Sequence, residues 1–387
     1  MAKRLFIPGP VTCAPSVLEA MAAPLVDHRG PEFAAVLGRI SRGMKPVFAT
    51  AGDVIVLGSS GTGGLEAALV NSFSPGQKLL ACPVGLFGRR FASIATQYGF
   101  DVEILETPLG ERVDGARLAQ RLRQDREREF AGILLTHNET STGVQNDMAA
   151  LSQAIGDHPA TVIVDSVSGL GASPFAMDEW RFDIVVGASQ KALAAAPGLA
   201  LLACSDRAWE RMAGARAPRF YFDLRKAREL GATGQTAWTP PVSIAFGLDA
   251  ALTHYQQQGA EQSYARHDRY ARTIRAFAQA AGLQTVSRPG AHSVTVVALF
   301  APNDLNADVL RSDLREHYEI VVGGGQGELK GKILRIGTMG DISSDDVVGA
   351  LDALATVLRD HGHPCDADAS ADASREMRSE TLADVAS

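Results

Sequence analysis

The sequence has 387 residues, of which 46% are hydrophobic and 21% are charged, and it carries a net charge of −7. This length is more than one hydrophobic core usually organises, so we expect one large domain and one smaller domain. The composition excludes an intrinsically disordered chain, and the acidic balance argues against a broad nucleic-acid-binding surface. We therefore expect a globular protein without a nucleic-acid partner.

The amino-terminal residues and the cysteines bear on the cellular compartment. The first residues, MAKRLFIPGP, lack the apolar core of a signal peptide, and no run of eighteen apolar residues follows. The cysteines at positions 13, 82, 204 and 365 show no CxxC spacing, which favours free thiols over disulfides or a zinc site. These features predict a cytoplasmic protein that has no membrane partner and no metal.

Short apolar runs alternate with amphipathic helical patterns over the first half of the chain. The runs predict strands at residues 54–57, 78–81, 101–105, 132–136, 161–164, 183–186 and 199–204. Helical patterns occur at residues 65–73, 87–98, 116–123 and 148–155. Strands that are buried on both faces and joined by helices indicate a mostly parallel α/β sheet. The last three strands are separated by too little chain for long crossovers, so at least one of them runs antiparallel or pairs differently.

The second half of the chain has a different pattern. Two long helical stretches, 243–258 and 261–281, precede a compact set of strands and helices between residues 293 and 360. We predict an amino-terminal arm at 1–15, a large domain at 16–259 and a smaller α/β domain at 260–363. Residues 364–387 are rich in Ala, Asp and Ser, which predicts a flexible tail.

A glycine-rich segment, GSSGTGG at residues 58–64, follows one predicted strand and opens a helix. Such a turn offers backbone N–H groups and a helix N-terminus to a phosphate. It is not a P-loop because no Lys follows, and it is not a dinucleotide fingerprint because Glu66 replaces the third glycine. The residues by themselves leave a plain turn without a ligand as the alternative.

An acid and an amine follow two other strands. Asp165 ends TVIVD, and Lys191 comes directly after DIVVGASQ. The carboxyl ends of strands in open α/β sheets are where ligands bind, and this pair suits pyridoxal phosphate: the acid keeps the ring nitrogen protonated while the lysine holds the aldehyde. The alternative is a turn-capping Asp and a solvated Lys.

Two further segments carry candidate binding residues. The polar run THNETSTG, residues 136–143, follows the strand GILLT and fits contacts to a polar ring substituent, although these residue types also cap helices. Arg335 lies in the apolar strand KILRIG, and its planar guanidinium suits a carboxylate. The alternative for Arg335 is an edge strand from which the side chain faces water.

Taken together, these segments resemble the class V aminotransferases, and among them most closely the alanine–glyoxylate and serine–pyruvate aminotransferases. The motifs PGP, SGTGGLEAALVN, THNETSTG, VDSVSGLG, GASQKAL, TPPV and GKILRIGTMG occur in order between about residues 4 and 360. The resemblance implies the pyridoxal-phosphate fold type I of aspartate aminotransferase, an α/β fold with a mostly parallel seven-stranded sheet and a smaller C-terminal α/β domain. It also implies a homodimer with shared active sites.

The same resemblance implies pyridoxal 5'-phosphate as cofactor and a role for each matching residue. Lys191 is expected to form the Schiff base, and Asp165 is expected to pair with the pyridine nitrogen. Val167 is expected beneath the ring, Phe87 stacked on it, and Thr140 at the ring oxygen. The residues expected at the cofactor phosphate are Ser60, Gly61, Thr62 and Gln190, joined by Thr236 and Thr239 from the second copy of the chain. The residues expected at the substrate α-carboxylate are Arg335 and Gly9.

The implied function is transamination from alanine or serine to glyoxylate or pyruvate, through a Lys191 aldimine and a pyridoxamine phosphate intermediate. Two alternatives stay open on the same scaffold: an aspartate aminotransferase, for which Arg29 is the spare cation, and a pyridoxal-phosphate lyase or decarboxylase. A cysteine desulfurase is disfavoured because the stretch VVGGGQGELKGKILR before the predicted carboxylate-binding arginine contains no cysteine. The substrates expected are therefore a small amino acid and a 2-oxo acid.

Overall fold

The structure is a computed structural model that describes residues 3–302 and 305–365, together with residues 375 and 377. The predicted flexible tail lies almost entirely outside the described residues. The strands are β1 (Arg4–Phe6), β2 (Asp53–Gly58), β3 (Lys78–Cys82), β4 (Asp101–Ile104), β5 (Phe130–Thr136), β6 (Asn138–Glu139), β7 (Val144–Gln145), β8 (Thr161–Asp165), β9 (Ile184–Ala188), β10 (Leu199–Cys204), β11 (Val296–Phe300), β12 (Ile320–Gly324) and β13 (Ile333–Gly337). The helices are α1 (Pro15–Met21), α2 (Pro31–Phe48), α3 (Gly61–Ser72), α4 (Leu86–Gln97), α5 (Gly115–Gln124), α6 (Met148–Ile155), α7 (Asp206–Met212), α8 (Leu224–Gly231), α9 (Val242–Gln258), α10 (Ala260–Ala280), α11 (Ala307–His317) and α12 (Ser344–Asp360).

The large sheet has seven strands in the order β2-β10-β9-β8-β5-β3-β4. These are the seven strands that the sequence predicts, and the mostly parallel sheet is confirmed. The pairs β9–β8, β8–β5, β5–β3 and β3–β4 are parallel, whereas β10 is antiparallel to both β9 and β2. The connection from Ala188 to Leu199 contains no helix, which is why β10 reverses direction instead of crossing over.

Helices cover both faces of this sheet, so its central strands β8, β9 and β10 are buried on both sides. Along β5, Ile133 and Leu135 contribute to one hydrophobic core, and Leu134 contributes to the other. The first core includes apolar residues of α2, α5, α6 and α9, and the second includes those of α3, α4, α7 and α8. This alternation with a period of two places successive side chains on opposite faces and explains the continuous apolar runs of the sequence.

The smaller sheet has four strands in the order β1-β12-β13-β11. Helices α10, α11 and α12 pack on it through a separate core that includes Phe277, Leu310 and Leu354. Strand β1 is parallel to β12 and was not predicted, because a run of three residues carries no periodic signal. Its pairing brings the amino-terminal PGP segment to the boundary between the two sheets. None of the described helices combines the length and apolarity that a membrane crossing requires.

Candidate active site

Three strand ends and one helix start bring several of the predicted site residues to one edge of the large sheet. Asp165 is the last residue of β8, and β5 on one side of it leads into the β6–β7 hairpin, which contains Thr140. On the other side, β9 ends three residues before Lys191. Strands β5, β8 and β9 are parallel, so their carboxyl ends meet at the same edge, where open α/β sheets bind ligands.

Lys191 contacts the amino-terminal PGP segment. Its Nζ donates a hydrogen bond to the carbonyl oxygen of Pro8. Gly9 has a φ of +100°, and a Cβ built on it would lie 2.7 Å from Lys191 Cδ, so both backbone conformation and space require glycine there. Burial lowers the pKa of Lys191 to about 8, with Arg335 acting in the same direction and Asp165 opposing it. More of this amine is therefore uncharged near neutral pH than of an ordinary lysine, which favours its use as a nucleophile or base.

Asp165 is a buried carboxylic acid with only 6% of its surface exposed. Its Oδ1 accepts a hydrogen bond of 3.0 Å from the backbone N–H of Val167, and it forms no ion pair with a described residue. Burial raises the pKa of Asp165 to about 7, with the charge of Glu139 adding to the rise and the charges of Lys191 and Arg90 opposing it. A cationic group placed beside this carboxyl would return it to the charged form.

The start of α3 forms the predicted phosphate turn. Ser60 is the N-cap residue, and its side chain accepts a hydrogen bond of 3.4 Å from the N–H of Gly63. Gly61 packs against Val167, because a Cβ on Gly61 would lie only 2.6 Å from Val167 Cγ2. The hydroxyl-bearing residues Ser60 and Thr62 are exposed at this helix N-terminus, which favours anions.

Gln190 has a buried side-chain oxygen, Oε1, with no hydrogen-bond partner in the described chain. Rotating the amide by half a turn would direct its two N–H groups to the same position, and an anion would accept them. An unsatisfied polar atom of this kind is uncommon in a folded interior and indicates a binding position.

Arg335 is 7% exposed and lies in β13, an interior strand of the small sheet, so the alternative of an edge-strand arginine is wrong. Its Nε donates to the carbonyl of Gly324 at 2.7 Å, and its Nη1 donates to the carbonyl of Thr140 at 3.0 Å. Burial lowers the pKa of Arg335, and the negative charge of Glu139 opposes this. Two carbonyls therefore hold the guanidinium against the β6–β7 hairpin.

Phe87 lies in the first turn of α4 and is partly buried. The guanidinium carbon of Arg90, one helical turn later, lies 4.8 Å from the centre of the Phe87 ring. Arg90 forms no ion pair with a described residue, and its charge acts on Asp165, so it belongs to the same region. Sequence reasoning did not single out Arg90, although the spacing of three residues on a predicted helix was a usable signal.

Thr236 and Thr239 form no hydrogen bond to Lys191 or Asp165 in the described chain. They line a separate cleft beside β2 and α2, together with Gly58. The hydroxyl of Thr236 donates to the carbonyl of Trp238 at 2.7 Å, and Thr239 is exposed. Arg29 is bound to the same turn: its Nη1 donates to the carbonyl of Thr236 at 2.9 Å and to Gln235 at 3.0 Å. Arg29 is therefore engaged in holding this segment.

Glu139 is the buried residue that sequence reasoning missed. It is completely buried within the THNETSTG segment, and its Oε2 accepts hydrogen bonds of 3.0 Å from the N–H groups of Phe87 and Gly88. The hydroxyl groups of this segment predict binding contacts, whereas its single carboxylate has no predicted role. A Glu in a run of hydroxyl residues directly after a buried strand was the available signal.

Comparisons with known proteins show the family of this chain. Residues 22–333 match the family described as Aminotransferase class-V. The L-aspartate–glyoxylate aminotransferase of Paracoccus denitrificans is 37% identical over 383 residues, which cover 98% of this chain and 97% of the relative. The serine–glyoxylate aminotransferase of Methylorubrum extorquens is 33% identical over 367 residues, or 92% of this chain and 91% of the relative.

Among solved structures, that of pyridoxamine-pyruvate aminotransferase from Mesorhizobium loti matches with a TM-score of 0.93 and 26% identity, covering 98% of each chain. The resemblance read from the motifs, the fold class and the type of enzyme are thereby confirmed. The chain belongs to the class-V aminotransferase family and is a pyridoxal-phosphate-dependent aminotransferase of fold type I.

Proposed function

We propose that this enzyme transfers the amino group of a small amino acid to glyoxylate or pyruvate, with Lys191 and Asp165 as the catalytic residues. The observation that carries the proposal is the pair formed by a partly buried lysine and a buried aspartic acid at one sheet edge, with Arg335 held against the adjacent hairpin. Amino-acid transamination requires an amine of lowered pKa, a carboxylate that pairs with a protonated ring nitrogen, and a cation that binds the substrate's carboxylate.

The residues of the site fit pyridoxal 5'-phosphate. When bound, this cofactor supplies an aldehyde that links to an amine and a protonated ring that withdraws electrons from the substrate's α-carbon. The proposed ring contacts are Asp165, Val167, Phe87 and Thr140. The proposed phosphate contacts are Ser60, Gly61, Thr62 and Gln190. The unsatisfied Oε1 of Gln190 and the exposed N-terminus of α3 support the phosphate position.

Lys191 and Asp165 have different roles in proton transfer. Lys191 Nζ, oriented by the Pro8 carbonyl, would accept the proton released from the substrate's α-carbon and would then deliver it to the carbon that carried the cofactor's aldehyde. Its pKa of about 8 is close enough to neutrality for both transfers. Asp165 would hold a proton on the ring nitrogen, because a buried carboxylate without an ion-pair partner is stabilised by an adjacent cation.

Arg335 would bind the substrate's α-carboxylate. A guanidinium carries five N–H groups, and two of those of Arg335 are engaged by the carbonyls of Gly324 and Thr140. The remaining three are available to a planar anion, and the two engaged groups fix the direction of the fork. Gly9, which contacts Lys191, completes the proposed carboxylate position.

The choice of substrates is proposed from the relatives. Both relatives described above are named for glyoxylate as acceptor, which supports glyoxylate here, and they differ in donor, serine or aspartate. Alanine and serine are the donors that we propose first, and aspartate is the second candidate because the 37% identical relative is named for it. Initial rates with these three donors against glyoxylate, pyruvate and 2-oxoglutarate would decide among them.

The assembly and the compartment are parts of the same proposal. A homodimer is supported by Thr236 and Thr239, which form no hydrogen bond to the site residues of their own chain and would reach the phosphate of the second copy. A cytoplasmic location is supported by the free thiols of Cys13, Cys82 and Cys204.

Borohydride reduction of the protein loaded with pyridoxal phosphate tests the lysine assignment. We expect the mass of one reduced cofactor on the peptide that contains Lys191, and no label in Lys191→Ala, which should still bind some cofactor but lose most turnover. Lys78→Ala is the matched control, since Lys78 lies at the start of β3 and pairs with Glu129 at 3.3 Å. Labelling of Lys78 or Lys332 in the wild-type protein would refute the assignment.

A further inference from the structure

The N-terminus of α4 lacks a capping side chain of its own. The helix begins at Leu86, and its N-cap residue is Gly85, which offers no side-chain acceptor. The first N–H groups of any α-helix have no partner within the helix and need acceptors from elsewhere. In this protein the acceptors come from a segment more than fifty residues later in the chain.

The β6–β7 hairpin supplies these acceptors. The N–H of Leu86 donates to Ser141 Oγ at 2.9 Å, and the N–H groups of Phe87 and Gly88 both donate to Glu139 Oε2 at 3.0 Å. The other carboxylate oxygen, Oε1, accepts from the N–H of Ser141 at 3.0 Å and from its hydroxyl at 2.7 Å. Three consecutive N–H groups of the helix are therefore capped by two side chains of the hairpin.

The hydrogen bonds around Glu139 favour its carboxylate form. It is completely buried, and all four of its partners are donors, so a proton on either oxygen would face another donor. Burial raises the pKa of Glu139 above its ordinary value, and the hydrogen bonds from Ser141, Gly88 and Phe87 oppose this rise. The positive end of the α4 dipole also stabilises the negative charge.

The close approach of hairpin and helix depends on glycine at position 85. A Cβ built on Gly85 would lie 2.5 Å from both Glu139 Cγ and Ser141 Oγ. The φ of Gly85, 170°, is extended backbone that any residue adopts, so the requirement is steric. The sequence therefore provides both the carboxylate and the space for it.

The elements joined by Glu139 carry two of the proposed binding residues and contact a third. Phe87 lies in the first turn of α4, Thr140 follows Glu139 in the hairpin, and the carbonyl of Thr140 accepts the hydrogen bond from Arg335. We propose that Glu139 is a positioning residue, which fixes the ring of Phe87 relative to Thr140 and Arg335. The contacts to the cofactor ring and to the substrate carboxylate then have fixed relative positions. This inference rests on the proposed function, because it concerns the same cofactor site.

Glu139→Gln tests the inference, since it keeps the shape but replaces one acceptor oxygen by an N–H2 group. In either of the two oxygen positions this NH2 group faces N–H or O–H donors, so hydrogen bonds of the cap are lost. We expect the affinity for pyridoxal phosphate to fall roughly tenfold to a hundredfold, with a weaker visible circular dichroism of the bound cofactor. Glu106→Gln is the matched control. Glu106 is exposed and pairs with Arg89 of α4, so cofactor affinity and circular dichroism should both stay unchanged.

A double-mutant cycle with Phe87→Leu separates positioning from general stability. If Glu139 acts through Phe87, the losses in cofactor affinity from the two substitutions are not additive. Additive losses, or a Glu139→Gln protein whose cofactor affinity and circular dichroism equal those of wild type, would overturn the inference. If Glu139→Gln does not fold, Ser141→Ala carries the same test, with a smaller loss expected because the carboxylate remains. Failure of wild type to bind the cofactor or to be labelled at Lys191 would instead refute the proposed function.

Discussion

The position of Arg335 in the fold suits its proposed role in binding the substrate's carboxylate. Its guanidinium is buried and held by two backbone carbonyls, so its free N–H groups point in a fixed direction. Arg335→Gln removes the charge and the fork, and we expect kcat/KM for alanine to fall on the order of a hundredfold or more. Arg335→Lys keeps the charge without the planar fork and should restore only part of that loss. Steady-state kinetics of the two variants provide the measurement.

A control variant and a control substrate distinguish carboxylate binding by Arg335 from a structural role. Arg311→Gln is the matched control, because Arg311 also donates to a backbone carbonyl of β12, that of Val322, and pairs with Asp308. It should leave kcat/KM nearly unchanged. Ethylamine, which lacks the carboxylate of alanine, should react equally slowly with wild type and Arg335→Gln. If ethylamine turnover suffers as much as alanine turnover, Arg335 is structural and the carboxylate assignment is wrong.

At the level of elements, the start of α3 is set by its contact with the loop after β8. A methyl group on Gly61 would lie 2.6 Å from Val167 Cγ2, so Gly61→Ala must displace either the helix start or Val167. Both are proposed cofactor contacts, and we expect the affinity for pyridoxal phosphate to fall roughly tenfold, about 1.4 kcal/mol. Titration of the apoenzyme with the cofactor, followed by its visible absorbance, measures this.

Gly349→Ala is the control for the same chemical change in another helix. Gly349 lies inside α12, and a Cβ built there meets nothing within 4 Å. Alanine should leave cofactor affinity unchanged and stabilise the protein by about 0.5–1 kcal/mol, because glycine is the poorer helix former. Wild-type affinity in Gly61→Ala would show that the α3 start does not contact the cofactor.

At the level of the whole molecule, the position of Thr239 predicts sites that two chains share. In a two-fold dimer each chain would send its Thr239 segment to the other chain's phosphate turn. Thr239→Glu places a negative charge near that phosphate, so we expect this variant and Lys191→Ala each to be nearly inactive. Mixed and allowed to exchange subunits, they form hybrids in which one site has both native residues. Activity should then return to about a quarter of wild type, since half of the dimers are hybrids with one intact site.

Lys191→Ala mixed with Asp165→Asn is the negative control for this exchange. Both of these residues belong to the same chain's sheet edge, so no hybrid contains an intact site and the mixture should stay inactive. If the first mixture also stays inactive while hybrids are detected by mass, the sites are not shared. A fully active Thr239→Glu homodimer would show that Thr239 does not contact the phosphate.

The sequence by itself determined the local features of this protein. Apolar runs and helical periodicity predicted all seven strands of the large sheet, with ends that differ from the structure by at most a few residues. The short connections between the last three strands predicted that at least one of them runs antiparallel or pairs differently, and in the structure β10 is the antiparallel strand. These features depend on neighbouring residues, whose periodicity and turn chemistry act over a few positions of the chain. Strands of two or three residues, such as β1 and β6, carry no such signal and were missed.

Tertiary structure alone decided which distant residues meet. The bond from Lys191 to Pro8 joins residues 183 positions apart, and that from Arg335 to Thr140 joins residues 195 positions apart. The cap that Glu139 provides for α4 and the engagement of Arg29 by the Thr236 turn are likewise contacts between separate elements. No pattern along the chain specifies such pairs, because they depend on strand order, on the packing of the hairpin against α4 and on the position of β13. Burial then shifts the pKa values of Lys191 and Asp165 towards each other, and burial is a property of the folded chain only.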